Sequence, residues 1–225
     1  MPVWLKNNGL SIAFGLIFLA SLVGQAISGH ASVNHDAFLH HGDPISFWHY
    51  VTSALFWTDV MENWQSEYLQ FTLYIFATVW LLQKGSNESK PLTDAGAESD
   101  EQQKLGSYAK PDSPKWARIG GWRTTIYSNS LLLVMGSIWL LSWFAQSITG
   151  RVNYNAEQLD HLAAPVSWAT YVTTSDFWNR TLQNWQSEFL AVGSMVALSI
   201  VLRQRGSSES KPVGTPHHEG AVSAE

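Results

Sequence analysis

Two glutamates are the residues of this sequence best placed to do chemistry. Glu67 and Glu188 each end the same run, Asn-Trp-Gln-Ser-Glu, at positions 63–67 and 184–188. Each run leads into an apolar stretch that predicts a membrane helix, which places the carboxyl group near or just inside the outer membrane boundary. An ionisable group at that depth is costly and usually functional, for example in a proton or ion path. The pair therefore predicts a polar centre.

Polar residues on the preceding apolar stretches are predicted to face these glutamates. Ser21 and Gln25 share one helical face, as do Ser142 and Gln146. Polar groups in lipid must find partners, so we expect Gln25, Glu67, Gln146 and Glu188 to form one pseudo-symmetric centre near the outer mouth of a four-helix bundle. The supporting residues are Ser21, Asn63, Trp64, Gln65, Ser66, Ser142, Asn184, Trp185, Gln186, Ser187, His40 and His161. The alternative is that these polar contacts only hold the helices together.

The face of Glu67 continues into the bilayer through further polar side chains. Tyr74 and Thr78 lie seven and eleven residues after Glu67 and therefore share its helical face. His40 and His161 occupy equivalent positions in the chain, and we expect them to act as proton partners of the glutamates.

Metal binding and enzymatic catalysis are not predicted. His30, His35, His40, His41 and His49 lie close together beside aspartates, but only His40 has a counterpart elsewhere and no recognised ligand spacing is present. The chain has no cysteine, which excludes disulfides and thiol chemistry. Nucleotide-binding, hydrolase and kinase motifs are also missing from the sequence, so we expect no cofactor and no enzyme.

Four apolar stretches must position the candidate residues, at 10–27, 68–82, 131–148 and 189–202. A bilayer core about 30 Å thick needs roughly 20 helical residues, so we expect membrane spans at about 8–28, 63–83, 129–149 and 184–204. The first stretch could be mistaken for a secretory signal, but the third is the same element in mid-chain, so both are interpreted as permanent spans. The twelve tryptophans suit membrane–water interfaces.

An internal repeat organises the chain. Residues 8–91 align without a gap on residues 129–212, a shift of 121 positions, with 32 identities in 84 positions. We therefore expect two repeats, residues 1–91 and 121–212, joined by a disordered cytoplasmic linker at 92–120 and followed by a disordered tail at 213–225. Because each repeat has two spans, both copies must have the same orientation, as parallel helical hairpins.

Basic residues predict which side of the membrane each segment occupies. Lys6, the linker with its flanks and the C-terminal tail contain 11 of the 13 Lys and Arg residues. The positive-inside rule then places both termini and the linker in the cytoplasm. The outer segments each contain an aromatic stretch after a proline, at 44–57 and 165–178, which predicts a short helix lying in the outer interface.

The most distinctive motifs are duplicated: NWQSEYL and NWQSEFL, then GSNESKP at 85–91 and GSSESKP at 206–212. GSxESKP suits a helix stop, because glycine ends a helix and proline prevents its restart; a cytoplasmic docking patch is the alternative. With these motifs the chain resembles an uncharacterised family of small bacterial membrane proteins, a domain of unknown function. The resemblance implies a bacterial inner-membrane protein and implies no activity.

Two classes of function remain open at this point. The first is a small transporter or channel-like protein that uses the Gln/Glu centre for a proton, cation or small polar solute. A four-helix bundle is thin, so such a protein would need a homo-oligomer. The second is a non-catalytic envelope scaffold that binds partners; a membrane enzyme is least favoured. The lipid bilayer is the expected partner, and the net charge of −5 argues against nucleic acid.

Overall fold

Two 31-residue helices lie at equivalent positions of the two repeats. The computed structural model describes residues 2–220, and within them the chain is helical and contains no strand. The first repeat holds α1 (Val3–Asn7), α2 (Gly9–Leu39), α3 (Phe47–Val51) and α4 (Ala54–Trp80). The linker holds a 3-10 helix (Gly106–Tyr108) and α5 (Lys115–Arg118), and the second repeat holds α6 (Gly121–Ser128), α7 (Ser130–Asp160), α8 (Trp168–Tyr171) and α9 (Ser175–Leu198).

Helices α2 and α7 are long and apolar enough to cross a membrane. At 1.5 Å per residue each is about 46 Å long, and among the described residues they are the two helices that meet this test of length and composition. Only 6% and 17% of their most apolar segments are buried inside the protein. The core helix of a soluble protein would be mostly buried, so this exposure favours a lipid environment for both helices.

The long helices extend beyond the spans expected from apolarity. Helix α2 continues past residue 28 to Leu39, and α4 begins at Ala54 rather than at residue 63. At the other end, α9 stops at Leu198 instead of continuing to residue 204. Apolarity marks where lipid would solvate a helix, whereas hydrogen bonding and local breakers decide where the helix ends. The motif Asn-Trp-Gln-Ser-Glu consequently lies inside α4 and α9 rather than at their first turns.

Both long helices end in the same turn. His41 and Leu162 adopt positive φ angles of 58° and 56°. The next backbone N–H in each copy reaches back over the end of the helix, from Gly42 to Ala37 O at 2.8 Å and from Ala163 to Gln158 O at 2.7 Å. These bonds satisfy carbonyls that the end of a helix leaves free, as in a Schellman motif. The chain then reverses along the helix that it has just left.

An asparagine holds each returning segment against its helix. The side-chain amide of Asn34 accepts from Ile45 N at 2.8 Å and donates to Ile45 O at 3.0 Å. Asn155 makes the same pair of bonds with Val166, also at 2.8 and 3.0 Å. Each asparagine side chain therefore bonds both the N–H and the C=O of one residue, the one that directly follows Pro44 or Pro165. This places α3 and α8 beside the C-terminal parts of α2 and α7.

We expect Asn155→Leu to lower the free energy of unfolding by about 2 kcal/mol, because two hydrogen bonds to a half-buried backbone are lost. Asn155→Asp should have an intermediate effect, since a carboxylate still accepts from Val166 N but cannot donate to Val166 O. Asn179→Leu, at an exposed position of α9, is the control and should change little. Thermal unfolding in detergent measures all three; an Asn155→Leu protein as stable as the wild type would contradict the role assigned to this amide.

The chain divides into two compact units that each draw on both repeats. Unit 1 comprises Met1–Met61 with Gln146–Tyr171, and unit 2 comprises Glu62–Ala145 with Val172–Glu225. In unit 1 the two repeats are joined by a hydrogen bond from Asn153 Nδ2 to Thr58 Oγ1 of 2.9 Å. Equivalent parts of the two copies therefore associate with one another, and each unit is described separately below.

In unit 2, α4 and α9 end in two loops with the same geometry, here called the motif loops (residues 83–92 and 204–213). Gly85 and Gly206 have φ angles of 79° and 82°. A β-turn bond of 3.2 Å closes each loop, from Ser86 N to Gln83 O and from Ser207 N to Gln204 O. The predicted helix stop is thus a structured turn in which glycine supplies the positive φ that a type II turn requires.

A serine hydroxyl braces each motif loop from inside. Ser89 Oγ accepts from Gln83 N at 2.8 Å, and Ser210 Oγ accepts from Gln204 N at 2.9 Å. The linker and the first part of the tail, predicted to be disordered, contain turns and short helices in the structure, and that predicted disorder stays a prediction. Residues 221–225 of the predicted tail lie outside the described part of the chain.

Candidate functional site

Helices α4 and α9 run parallel to each other within unit 2. Arg180 Nη1 lies 3.3 Å from Glu62 Oε1. Further along both helices, Trp185 Nε1 donates to Gln65 Oε1 at 2.8 Å, and Ser66 Oγ lies 3.5 Å from Glu188 Oε1. Since the residue numbers of both partners rise together, the two helices point the same way. The duplicated motif lies in the middle of this interface.

The two copies of the motif do not occupy equivalent environments. Gln65 and Ser66 are buried, with 0% and 1% exposure, whereas Gln186 and Ser187 are exposed. Among the acids the order is reversed: Glu67 is exposed and Glu188 is half-buried. The first copy therefore supplies the buried amide and hydroxyl, and the second copy supplies the tryptophan and carboxylate that meet them.

Glu67 and Glu188 lie on the same stretch of this interface. Glu67 is close enough for its charge to act on the Glu188 carboxyl group. The Ser66 hydroxyl donates to Asn63 O at 3.0 Å and lies 3.5 Å from Glu188 Oε1. Gln65 Nε2 is buried and has no hydrogen-bond partner among the described residues. The centre thus combines two acids with a buried donor that is still available, an arrangement suited to holding a proton or a small polar species.

A cleft of about 350 Å³ opens between α4 and α9 on the C-terminal side of the motif. Its lining residues are Gln70, Phe71, Tyr74, Glu88, Ala191, Val192, Met195 and Glu209. Tyr74 donates its hydroxyl to Glu88 Oε2, and Glu88 Oε1 is buried without a partner in the described structure. Glu88 and Glu209 are equivalent residues of the two motif loops, so a second pair of acids borders the opposite end of the same interface.

Aromatic side chains pack around the second copy of the motif. The Trp143 ring lies 6.0 Å from the rings of Trp139 and Trp185, 6.1 Å from Trp178 and 6.2 Å from Phe177. The indole N–H groups of Trp139 and Trp143 are buried and lack hydrogen-bond acceptors among the described residues. This cluster shields Trp185, and with it the hydrogen bond to Gln65, from one side.

The two predicted glutamines of the polar centre belong to unit 1. Gln25 is half-buried, and Gln146 is 1% exposed with neither amide atom hydrogen-bonded in the described structure. On the same helices, Ser21 is exposed, while Ser142 is buried and donates to Ile138 O at 2.7 Å. The structure thus brings Glu67 and Glu188 together, and a centre of all four residues stays a prediction.

The remaining predicted residues mostly bond within their own helix. Asn184 Nδ2 donates to Arg180 O at 2.9 Å and Ser187 Oγ donates to Asn184 O at 2.8 Å. Trp64 is half-buried, and Asn63 is exposed on α4. These contacts are typical of polar side chains on helices and do not by themselves indicate a ligand.

The two equivalent histidines cap helix ends. His40 Nδ1 bonds Asp36 O at 2.9 Å, and His161 Nδ1 bonds Glu157 O at 2.8 Å, one turn earlier in each helix. Both histidines are exposed. Their expected role as proton partners of the glutamates therefore lacks a supporting contact. Within residues 2–220 no group of three or more His, Cys, Asp or Glu residues could hold a metal ion.

An ion pair stabilises the N-terminal part of the α4–α9 interface. Arg180 lies 3.3 Å from both Glu62 Oε1 and Asp176 Oδ1. Burial acts to lower the pKa of the Arg180 guanidinium, but the two carboxylates outweigh burial and raise the pKa above its ordinary value. The guanidinium therefore stays charged and crosslinks the two helices over the whole physiological pH range.

A buried lysine joins the two motif loops. Lys211 is 1% exposed, and its ammonium donates to Gly85 O at 2.6 Å and to Glu219 O at 2.8 Å. Burial lowers the pKa of Lys211; Arg203 lowers it further, and Glu219 opposes this. Nearby, Ser86 Oγ lies 3.0 Å from Ser199 Oγ. The loop of one repeat is thus fastened to the loop of the other.

Three of the site residues were not selected from the sequence. Glu88, Glu209 and Lys211 all belong to GSxESKP, whose identity in both copies could have identified them. Glu88 is bonded by Tyr74, 14 positions earlier, and Lys211 bonds Gly85 O, 126 positions earlier. The motif thus indicates that these residues matter without indicating what they touch.

Comparison with known proteins gives one match. The model of a family described as a domain of unknown function (DUF6766) matches residues 1–222. Neither the curated proteins nor the solved structures contain a match to the chain.

Proposed function

Since this chain belongs to the DUF6766 family, whose description names no activity, we propose a function from its own geometry: a channel-like membrane protein that conducts protons along the α4–α9 interface. The observation that carries the proposal is the Glu67–Glu188 pair beside buried Gln65 and Ser66, with a cleft leading away from it whose lining includes Gln70, Tyr74, Glu88 and Glu209. Ionisable residues inside a membrane bundle are functional by default.

The proposed membrane arrangement has four spans as two hairpins of equal orientation. Helices α2 and α7 would face lipid, and α4 and α9 would be the two more polar spans. The parallel direction of α4 and α9 supports this arrangement. In a four-span chain α7 crosses the membrane between α4 and α9, so α9 must cross in the same direction as α4. The location proposed is a bacterial inner membrane, with both termini and the linker in the cytoplasm.

The proposed proton path has acids at both ends. Glu67 and Glu188 form the outer pair, and Glu88 and Glu209 border the cleft at the cytoplasmic end. Gln70 and Tyr74 line the cleft in between, and Tyr74 lies about 10 Å along α4 from Glu67. Carboxyl and phenol groups can donate and accept protons, and the amide of Gln70 can hydrogen-bond an ordered water between them, so these groups can form a relay. No covalent chemistry is required.

A homo-oligomer is part of the proposal. Apolar side chains around α2 are exposed on several sides, for example Leu10, Phe14, Leu16 and Val23. A second copy could cover part of this surface without leaving the lipid phase. The alternative function, a non-catalytic scaffold that binds a partner, is favoured by the exposed carboxylate of Glu67, which an adjacent protein could pair.

The test is proton flux through the purified protein in liposomes. A potassium gradient with valinomycin sets a membrane potential, and a trapped pH dye reports acidification of the interior. We expect a flux above that of empty liposomes that scales with the amount of protein. Flux no greater than that of liposomes carrying an unrelated membrane protein would exclude proton conduction and leave the scaffold role.

A further inference from the structure

The two motif loops enclose equivalent concave surfaces. One cavity of about 110 Å³ lies between the first loop and the tail. The loop contributes Gln83, Lys84, Gly85, Ser86, Ser89, Lys90, Pro91 and Leu92 to its lining, and the tail contributes His218 and Gly220. The second, of about 670 Å³, is lined by Gln204, Arg205, Gly206, Ser207, Ser210, Lys211, Pro212 and Val213, each 121 positions later, together with Ser208. A helix stop needs only the glycine turn, so the repetition of all eight loop positions in the two linings points to a repeated ligand.

The charges around each loop are segregated. Neither lining contains an acidic residue, whereas each contains two basic residues and at least two serines. The glutamate of each motif, Glu88 or Glu209, instead lines the cleft between α4 and α9. The loop surfaces therefore present cations without a carboxylate in their lining, and such a surface recognises an anionic oxygen group such as phosphate.

One cation in each loop is available to a ligand. Lys84 and Arg205 are exposed at the same position of the turn, and within residues 2–220 neither has a hydrogen-bond or ion-pair partner. The other cations are already engaged: Lys90 lies 3.4 Å from Glu98 Oε1, and the Lys211 ammonium is held by backbone carbonyls. The available cation, next to the serine-braced turn, is thus the group of each surface that a ligand can bind.

We propose that each motif loop binds the phosphate of an anionic phospholipid headgroup. The loops begin within a few residues of the ends of α4 and α9, which the proposed topology places at the cytoplasmic membrane surface, and the inference rests on that placement. Leu92 and Val213 are exposed, at 56% and 58%, and give each surface an apolar edge beside the cation. A lipid offers both a phosphate and apolar chains, whereas a free phosphate offers nothing for this edge.

Native mass spectrometry of the full-length protein tests the proposal with phosphatidylglycerol as the probe. We expect two phosphatidylglycerol molecules to be retained per chain in preference to phosphatidylcholine. Lys84→Met and Arg205→Met should each weaken binding at one loop by about fivefold to tenfold, and the double variant at both. Lys104→Met with Lys110→Met, the same charge change at exposed linker positions, is the matched control.

Several outcomes would overturn the proposal. Equal retention of phosphatidylcholine would exclude headgroup recognition. If the linker control weakened lipid binding as much as the loop variants, the effect would depend only on the net charge of the protein. Displacement of lipid by inorganic phosphate at equimolar concentration would assign the loops to a soluble phosphate instead. Thermal unfolding of each variant checks that the loops are intact. Proton flux is measured separately, so failure of the proposed conduction with retained lipid selectivity would leave this inference standing.

Discussion

Protein that carries both Glu67→Gln and Glu188→Gln is expected to conduct protons at least about tenfold more slowly than the wild type, because intramembrane acids carry the titratable step of proton relays. Glutamine keeps the size of glutamate and its ability to accept from Ser66, so the interface should stay folded. Each single variant should retain part of the flux. Two nearby acids titrate as a coupled pair, and one remaining carboxyl group can still bind a proton.

The control for this experiment is Glu101→Gln, an exposed linker acid outside the α4–α9 interface. Its flux should equal that of the wild type, measured in the same liposomes with the same dye. Size-exclusion chromatography and thermal unfolding establish that the double variant is intact. A double variant that is folded and conducts at the wild-type rate across the pH range would show that the two acids only hold helices together.

Replacing Gly150 with alanine is expected to destabilise the protein strongly, by about 2–3 kcal/mol. A Cβ atom at this position would overlap the hydroxyl oxygen of Tyr171 and lie 3.2 Å from its Cζ atom. Tyr171 is fully buried, so it cannot move aside into solvent. Gly29 and Tyr50 repeat this contact in the first copy, and Gly29→Ala should behave in the same way.

Removing the tyrosine hydroxyl should rescue the glycine variant. The double variant Gly150→Ala with Tyr171→Phe is expected to recover a large part of the lost stability. The overlapping hydroxyl oxygen is then absent, and the remaining ring carbons, at 3.2 and 3.3 Å from the Cβ position, need to move only slightly. Gly24→Ala is the matched control: no atom lies within 4 Å of its Cβ position, and alanine favours a helix over glycine. Thermal unfolding in detergent measures all of them. Equal stability of the Gly150→Ala and Gly24→Ala proteins would contradict the close packing.

Local structure follows the repeat that is visible in the sequence. The two 31-residue helices, the positive φ angles at His41 and Leu162, and the serine-braced loops at Gly85 and Gly206 all recur at the same interval. Each of these features depends on residues within about ten positions of one another, so similar sequence produces similar structure. The ends of the helices do not follow from apolarity, because hydrogen bonding at the last turn decides where a helix stops.

The sequence by itself determined the repeat, the helical class and the two most apolar helices. It also identified the glutamates of the candidate centre as equivalent residues. Only the tertiary structure decided that they are not equivalent: Gln65 and Ser66 are buried while Gln186 and Ser187, with the same sequence around them, are exposed. Burial depends on which distant residues pack against a side chain, here Trp185 and Glu188 against the first copy. Identical local sequence cannot specify that choice, because the partners lie more than 100 residues away.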